Sequence, residues 1–307
     1  MAPGTFDRAD TTPVPPAAPT VITVLAGDID GTAARVASDI SKTLDSDDLH
    51  VLPVLDQGAM QSLRDIATSP YLDLAIVPSD TLDQARAHGL GNAADSVVYL
   101  APLYHEEVQI LARGDVATIR QLDGRKVAVG AIGSATADRA SAIFDSLGIK
   151  PQIVDTDSSQ ALSMLQQGAL DAVVFADGKP IPALKKLPPN MGLHFVAVPY
   201  GSGLQNSYYP ARIDSTDYPN LVAAGTSVDT IALGTVLAAY DAPQGSPRYR
   251  KLAKFTQAFF RDFDGFLQAG RNPKWHEVNF AAKAPGWRRF KPAQNWLDSS
   301  QDTTAAN

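Results

Sequence analysis

The feature that most restricts the fold is a repeated unit: a short apolar run, a glycine-containing turn, then an alanine-rich amphipathic stretch. Its clearest copy is Lys126 to Gly148, KVAVGAIGSATADRASAIFDSLG. Val127, Ala128 and Val129 read as a buried strand, Gly130, Gly133, Ser134 and Thr136 as the turn, and a helix follows that stops at Gly148. The first-turn N–H groups of such a helix have no intrahelical acceptor, and the helix dipole adds partial positive charge, so the turn suits an anion. Small residues there let a ligand approach the backbone closely. Many α/β proteins carry the same turn with nothing bound, so the unit speaks for the fold class before it speaks for a site.

The unit recurs along the chain. VITVLAG, HVLPVLD and LDLAIVPSD are strands, each followed by a helix: Gly31-Thr32 to about Leu44, Gly58 onward through Met60, Leu63 and Ile66, and Pro78-Ser79-Asp80 to Gly89. VVYLAPLYHEEVQILAR has two apolar runs around a polar middle and no helical period, which reads as an extended crossing between two lobes. The alternation then restarts with the opening unit. PQIVDTD is a strand, Ser158 to Gln167 a helix, LDAVVFADG a strand, Lys179-Pro180 the start of a short helix to about Leu187, and LHFVAVPYG a strand leading back. Strand–helix alternation with turn signals at each boundary predicts an α/β fold with mainly parallel sheets and flanking helices. The pieces VLAGDIDGTAARVASDI and VAVGAIGSATADRASAI echo each other, and each helix carries an arginine, Arg35 or Arg139. Chance likeness between alanine-rich units is one reading of the echo. The other is two lobes whose equivalent helix N-termini face one cleft, at the carboxyl ends of the strands.

The tail differs. TSVDTIALGTVLAAY reads as a strand and then as helical, and Ser246-Pro247 is a strong helix start. Leu252, Phe255, Phe259, Phe263 and Phe266 follow at spacings of three and four, an aromatic stripe that reads as core. The last stretch, WHEVNFAAKAPGWRRFKPAQNWLD, holds all three tryptophans and is expected to wrap one lobe. Residues 1–20, rich in proline and small polar residues, read as a disordered lead-in. Residues 21–103 with 222–307 are expected to form lobe I and 104–221 lobe II. The first residues have no basic n-region followed by an apolar h-region, so the expectation is an exported chain whose targeting segment has been removed, with Met1 supplied in its place. A cytoplasmic chain with a floppy start is the alternative.

Composition narrows the partners. At 307 residues with 45% hydrophobic and 19% charged residues, the chain has the make-up of an ordinary globular protein of about two domains. A net charge of −7 with no basic block argues against nucleic acid or an anionic membrane as partner. No apolar run approaches the roughly 18 residues of a membrane span. The absence of cysteine excludes disulfides, thiolate metal sites and cysteine nucleophiles. The five histidines form no HExxH or HxH pair, and adjacent residues of an extended His105-Glu106-Glu107 point to opposite faces, so no metal site and no cofactor is expected. There is no GxSxG elbow, P-loop or GxGxxG.

What remains are strand-end loops able to converge on a small molecule: Gly31-Thr32, Ser79-Asp80, Ser134-Ala135-Thr136 and Gly178-Lys179, with Tyr104 at the crossing. Helix N-termini, hydroxyls, one lysine and several carboxylates suit a small ligand with a carboxylate, with or without an ammonium. Each hydroxyl taken alone also fits simple N-capping. Asp28 and Asp30, near the mouth, point either to selection of a cation-bearing ligand or to rejection of dianions.

Several motifs, in order, resemble the TAXI-type solute-binding proteins of TRAP transporters, from about Val21 to Asp298. They are QGAMQSLRDI, LDLAIVPSD, LYHEEVQILAR, LDGRKVAVGAIGSAT, LDAVVFADGKPIPAL and YYPARIDSTDYPNL. The resemblance implies a two-lobed periplasmic binding protein fold of type II that closes on a ligand about a hinge. It further implies a periplasmic, non-enzymatic, monomeric protein that delivers a small carboxylate such as glutamate to TRAP-type permease subunits. On this reading Ser134 and Thr136 hold the carboxylate, Thr32 and Asp80 lie opposite, and Lys179 adds charge. The chain departs from the family pattern in three places: GDIDGTAAR has no tyrosine, Ala135 replaces a glycine, and Pro78 stands where glutamine is common. A ligand-presenting sensor, or an enzyme on the same fold, are the alternatives. The enzyme would need a catalytic His, Cys or metal cluster in the cleft, which the sequence does not show.

Overall fold

The structure, a computed structural model, describes residues 19–131, 134–201, 203–205 and 207–305, with backbone alone for 301–305. Nearly all of the expected lead-in lies outside these residues, as do Ile132 and Gly133 of the opening turn. The chain begins β1 (Thr20–Leu25), α1 (Thr32–Leu44), β2 (Leu49–Val54), α2 (Ala59–Thr68), β3 (Leu74–Pro78), α3 (Thr81–Ala87) and α4 (Gly91–Asp95). One 17-residue strand, β4 (Val97–Arg113), follows. Next come β5 (Lys126–Ala128), α5 (Ala135–Leu147), β6 (Gln152–Val154), α6 (Ser158–Gln166), β7 (Ala172–Asp177), α7 (Pro182–Lys185), β8 (Leu193–Val196) and β9 (Tyr209–Asp214). The chain closes with β10 (Ser227–Tyr240), α8 (Pro247–Arg261) and α9 (Lys291–Ala305).

The strands run in the order β2-β1-β3-β10-β4-β7-β5-β6, with β8 on β4 and β9 on β10. Pairing is parallel at both ends, where β1 meets β2 and β3 and where β5 meets β6 and β7. It is antiparallel in the middle, through the two long strands. Parallel neighbours need crossover connections, and the amphipathic helices supply them. Gly27 and Gly130 turn the chain out of β1 and β5 with φ of 61° and 81°, a left-handed conformation that favours glycine. Gly148 ends α5 the same way at φ 66°.

The core divides into two groups. One, with Ile22, Ile40, Leu63, Tyr104 and Phe259, is built from residues before Val108 and after Leu233. The other, with Val127, Phe144, Leu165 and Ile231, is built from the residues between. The change-over therefore falls inside β4 and β10, and the molecule is a two-lobed α/β fold. On the return it comes later than residue 222, because Val222, Val228, Ile231 and Leu233 still pack with the second group.

Two expectations about elements need correction. The second half of TSVDTIALGTVLAAY is strand rather than helix, because β10 is wedged between β3 and β4 and is buried almost throughout. A strand covered on both faces reads as a continuous apolar run, which a helix can also show. The short helix after Lys179 starts two residues past Pro180, at Pro182. Helices α4 and α9 were not foreseen. The tail does pack on the first group: Trp275 and Phe290 lie in one of its clusters, Trp287 in the other, and Trp296 against it. Ser246 caps α8 by accepting a hydrogen bond from the Tyr249 N–H at 3.1 Å.

Candidate functional site

Because the parallel strands of both lobes deliver their helices from the same edge, several helix N-termini meet at one cleft of about 660 Å3. Gly31 and Thr32 of the α1 entry, Ala59 and Ser62 of α2, Ala135 and Thr136 of α5, and Ser158 and Ser159 of α6 border it, with Glu106 from β4. Four of the sequence-derived site residues thus line one cavity: Gly31, Thr32, Ala135 and Thr136.

The others lie elsewhere. Ser134 sits just before α5 and caps it, accepting from the Ala137 N–H at 3.2 Å. Gly178 is the point where the lobes touch. The Thr32 N–H donates to both Asp177 carboxylate oxygens at 3.1 and 3.2 Å, and the Thr32 hydroxyl to the Gly178 carbonyl at 3.2 Å. The Arg35 guanidinium stands 3.9 Å from the same carboxylate. The N-terminus of α1, expected to receive a ligand anion, therefore receives Asp177. Burial pushes that carboxyl up against the hydrogen bonds from Thr32 and Gly178.

Gly178 is tight enough to matter. A Cβ there would lie 2.9 Å from Thr32 Cγ2 and 3.0 Å from Lys274 Cε. Gly178→Ala is expected to cost about 1–3 kcal/mol by overpacking and to loosen the contact between lobes. Urea denaturation reads the first effect and solution scattering the second. An unchanged midpoint would mean that the seam yields without cost.

Ser79 and Asp80 do not border the cleft. The Ser79 carbonyl accepts from the Trp287 indole N–H at 2.7 Å. Asp80 takes a hydrogen bond from Gln84 on one oxygen, and its other oxygen is buried without a partner among the described residues. Lys179 is drawn away, donating to Asp217 at 2.8 Å and Asp214 at 3.3 Å beside a second cavity. Tyr104 is only 2% exposed, and its hydroxyl has no partner among the described residues. Burial raises its pKa well above the ordinary value, and Glu106 and Asp177 act in the same direction.

Two residues that sequence reasoning left out of the site are Glu106 and Arg139. Arg139 donates from Nη1 to Glu106 Oε2 at 2.7 Å. It is 4% exposed, and its Nε and Nη2 have no partner among the described residues. Burial pushes the Glu106 carboxyl up, to about 7, against the pull of Arg139. The echo between the two arginine-bearing helices was the available signal, since Arg35 and Arg139 are the two guanidiniums that approach acids here. Neighbouring residues of β4 alternate as an extended chain must: His105 and Glu107 join the Lys274–Glu277 pair, while Glu106 faces α5.

A family model described as the NMT1-like family matches residues 33–250. Among solved structures, the periplasmic binding protein BugD is 18% identical, covering 84% of this chain and 85% of that chain, with a TM-score of 0.52. The alkanesulfonate-binding protein SsuA from Xanthomonas axonopodis pv. citri, bound to MOPS, is 14% identical over 94% of each chain at a TM-score of 0.49. A TctC solute-binding protein from Polaromonas is 16% identical, covering 82% of this chain and 89% of that chain, at 0.45. The likeness to BugD shows a shared fold, that of a periplasmic binding protein.

Proposed function

We infer, from the premise that the chain belongs to the NMT1-like family, that it is an extracytoplasmic solute-binding protein. It captures a small carboxylate-containing solute between its lobes and presents the closed form to a TRAP-type membrane permease. The observation that carries this reading is the cleft itself. It is bounded by helix N-termini from both lobes, has the size usual for small-molecule sites, and lies where the lobes join through two long strands. Such a joint suits hinge closure around a ligand. Arg35 and Lys186 at the rim and the start of α5 at Ala135 and Thr136 are the groups suited to a carboxylate. Among the described residues no helix is long and apolar enough to cross a membrane.

Mass spectrometry of ligand released from denatured protein is the direct test, followed by calorimetry with amino acids and 2-oxo acids. Thr136→Ala is expected to weaken binding about tenfold, the worth of one hydrogen bond to a charged group. Equal affinity in that variant would remove α5 from the site. A protein that binds no small acid would end the reading altogether.

A further inference from the structure

Buried polar atoms without a partner are rare in folded proteins, and each raises the question of what meets it. Among the described residues Arg139 is the one side chain with two such atoms, Nε and Nη2. Its third nitrogen, Nη1, donates to Glu106 at 2.7 Å. A guanidinium does not lose its proton in a protein, so the two remaining donors stay charged as well as unmet. Nε–H and Nη2–H lie along one edge of a planar group, the edge that takes two oxygens of a carboxylate side by side. The guanidinium adjoins the cleft. Ala135 and Thr136, four and three residues earlier on α5 and therefore on the same helix face, line the cavity, and so does Glu106. Arg139 stands directly behind that lining.

The other lobe supplies the complementary unmet atom. Asp80 Oδ2 accepts from Gln84 at 2.9 Å, and Oδ1 is buried without a partner among the described residues. Strand register puts this carboxylate near Arg139. The Ser79 N–H donates to the Gly234 carbonyl at 2.8 Å, and Gly234 lies opposite His105 of β4. The chain leaving β3 thus passes Glu106 with only β10 between them, about 10 Å for two strand spacings. The charge of Asp80 acts on both Glu106 and Arg139. Arg139 nevertheless pairs with Glu106 and not with Asp80. Two donors on one lobe and an acceptor on the other are left open across the gap, and leaving such groups unmet costs stability.

We propose that the Nε/Nη2 edge of Arg139 is the subsite for the acid group of the solute, and that Asp80 Oδ1 accepts an N–H or O–H of the same solute from the opposite lobe. Arg35 and Lys186 at the rim draw the acid in, and Arg139 holds it. The subsite deepens the solute-binding reading and rests on it: the solute is a small acid with a hydrogen-bond donor of its own, and it ties the lobes together by meeting what each leaves open.

Calorimetry on the full chain, stripped of bound solute by unfolding and refolding, tests this with probes on two carbon skeletons. The first set is alanine, lactate, propionate and alaninamide. The second is leucine, 2-hydroxy-4-methylpentanoate, 4-methylpentanoate and leucinamide. The amino or hydroxy acid is expected to bind at least about tenfold more tightly than the plain acid, which leaves Asp80 unmet. It is expected to bind at least about 100-fold more tightly than the amide, which offers Arg139 no anion. A plain acid that binds as tightly as its substituted forms overturns the subsite and leaves the solute-binding reading standing. Failure of every probe at millimolar concentration removes both.

Arg139→Met combined with Glu106→Gln removes both charges of the buried pair and strands neither, so the fold is expected to survive. That protein is expected to bind every acid at least about 100-fold more weakly. Arg139→Lys keeps a cation for Glu106 but lacks the two-donor edge, and a loss of at least about tenfold is expected. Glu106→Gln alone keeps an oxygen for Nη1 and is expected to hold or strengthen the acid. A folded Arg139 variant with wild-type affinity overturns the subsite, as does a Glu106→Gln protein that loses the acid as fully as the double variant. Asp80→Asn is expected to bring the substituted acid down to the affinity of the plain acid, whose own binding stays the same. If Asp80→Asn instead lowers the thermal midpoint with every affinity unchanged, Asp80 serves Arg139 directly and the subsite is wrong.

Discussion

Replacing Lys274 by methionine is expected to cost about 3–5 kcal/mol of stability, the usual result of removing one partner from a buried ion pair. Lys274 is 2% exposed and donates at 2.7 Å to Glu107 and at 2.7 Å to Glu277. Glu107, 3% exposed, would keep only the Lys179 N–H at 2.9 Å. Burial already pushes its carboxyl above the ordinary 4.5, and the Lys274 ammonium is what restrains it. Without that cation the carboxyl rises further, and the folded state takes up a proton that the unfolded chain gives up above about pH 4.5. The deficit against wild type is therefore expected to be smaller at pH 5 than at pH 8.

Glu277 behaves oppositely. Burial works against its ionised form, yet hydrogen bonds from His105 and the Lys274 charge carry it down to about 2. Its contribution is present above its ordinary 4.5 and is lost as pH falls towards 2, and part of it disappears with Lys274. Urea denaturation at pH 5 and pH 8 measures the Glu107 effect, and a further series between about pH 4.5 and pH 3 measures that of Glu277. The double variant Lys274→Met with Glu107→Gln is expected to recover much of the loss, because the stranded charge is gone. A single variant within about 1 kcal/mol of wild type at pH 8 would show that water reaches the pair. The position gives the result functional weight: Lys274 ties the tail to β4 between the two core groups and packs against Gly178, where the lobes touch.

What could be read from the sequence was what local chemistry decides. Gly27, Gly130 and Gly148 mark turns because they adopt conformations other residues avoid, and Ser246-Pro247 marks a helix start because both residues fit an N-terminus. Once the strands are known to be parallel, the loops at Gly31-Thr32 and Ala135-Thr136 must lie at the same edge, so half of the candidate cleft followed from topology. The second half of β10 did not, because an Ala- and Leu-rich run suits either structure until its neighbours are known. Nor did the fate of the charges. Asp177 fills the α1 N-terminus from 145 residues away, and Glu106 meets Arg139 across 33. Lys179 turned to Asp214 and Asp217, which nearby sequence could not foretell. Side-chain pairing across a cleft depends on how two lobes come together, and no residue's immediate sequence contains that.

Phe259→Ala, far from the cleft, is expected to cost about 3–5 kcal/mol as well, the range for truncating a buried aromatic. Phe259 is 0% exposed and touches a ring of aromatics: Phe255, Phe260, Phe263, Phe266, Trp275 and Phe280. Those rings come from α8, from the turns after it and from the segment before α9, so they cannot all collapse into the void without moving separate pieces of chain. The stripe recurs every three or four residues because one helix face meets the sheet, whereas Trp275 and Phe280 arrive from later in the chain to close the cluster. All of these partners belong to the first core group, and none lines the cleft. The expected signature is a lower urea midpoint with solute affinity per folded molecule unchanged, measured by calorimetry well below the transition. An affinity that falls along with stability would mean that the aromatic cluster sets the geometry of the α1 N-terminus. That route exists physically, since the Trp275 indole N–H donates to Asp39 on α1 at 3.0 Å. Trp275→Phe would then separate the two effects, keeping the ring contact while removing the hydrogen bond to α1.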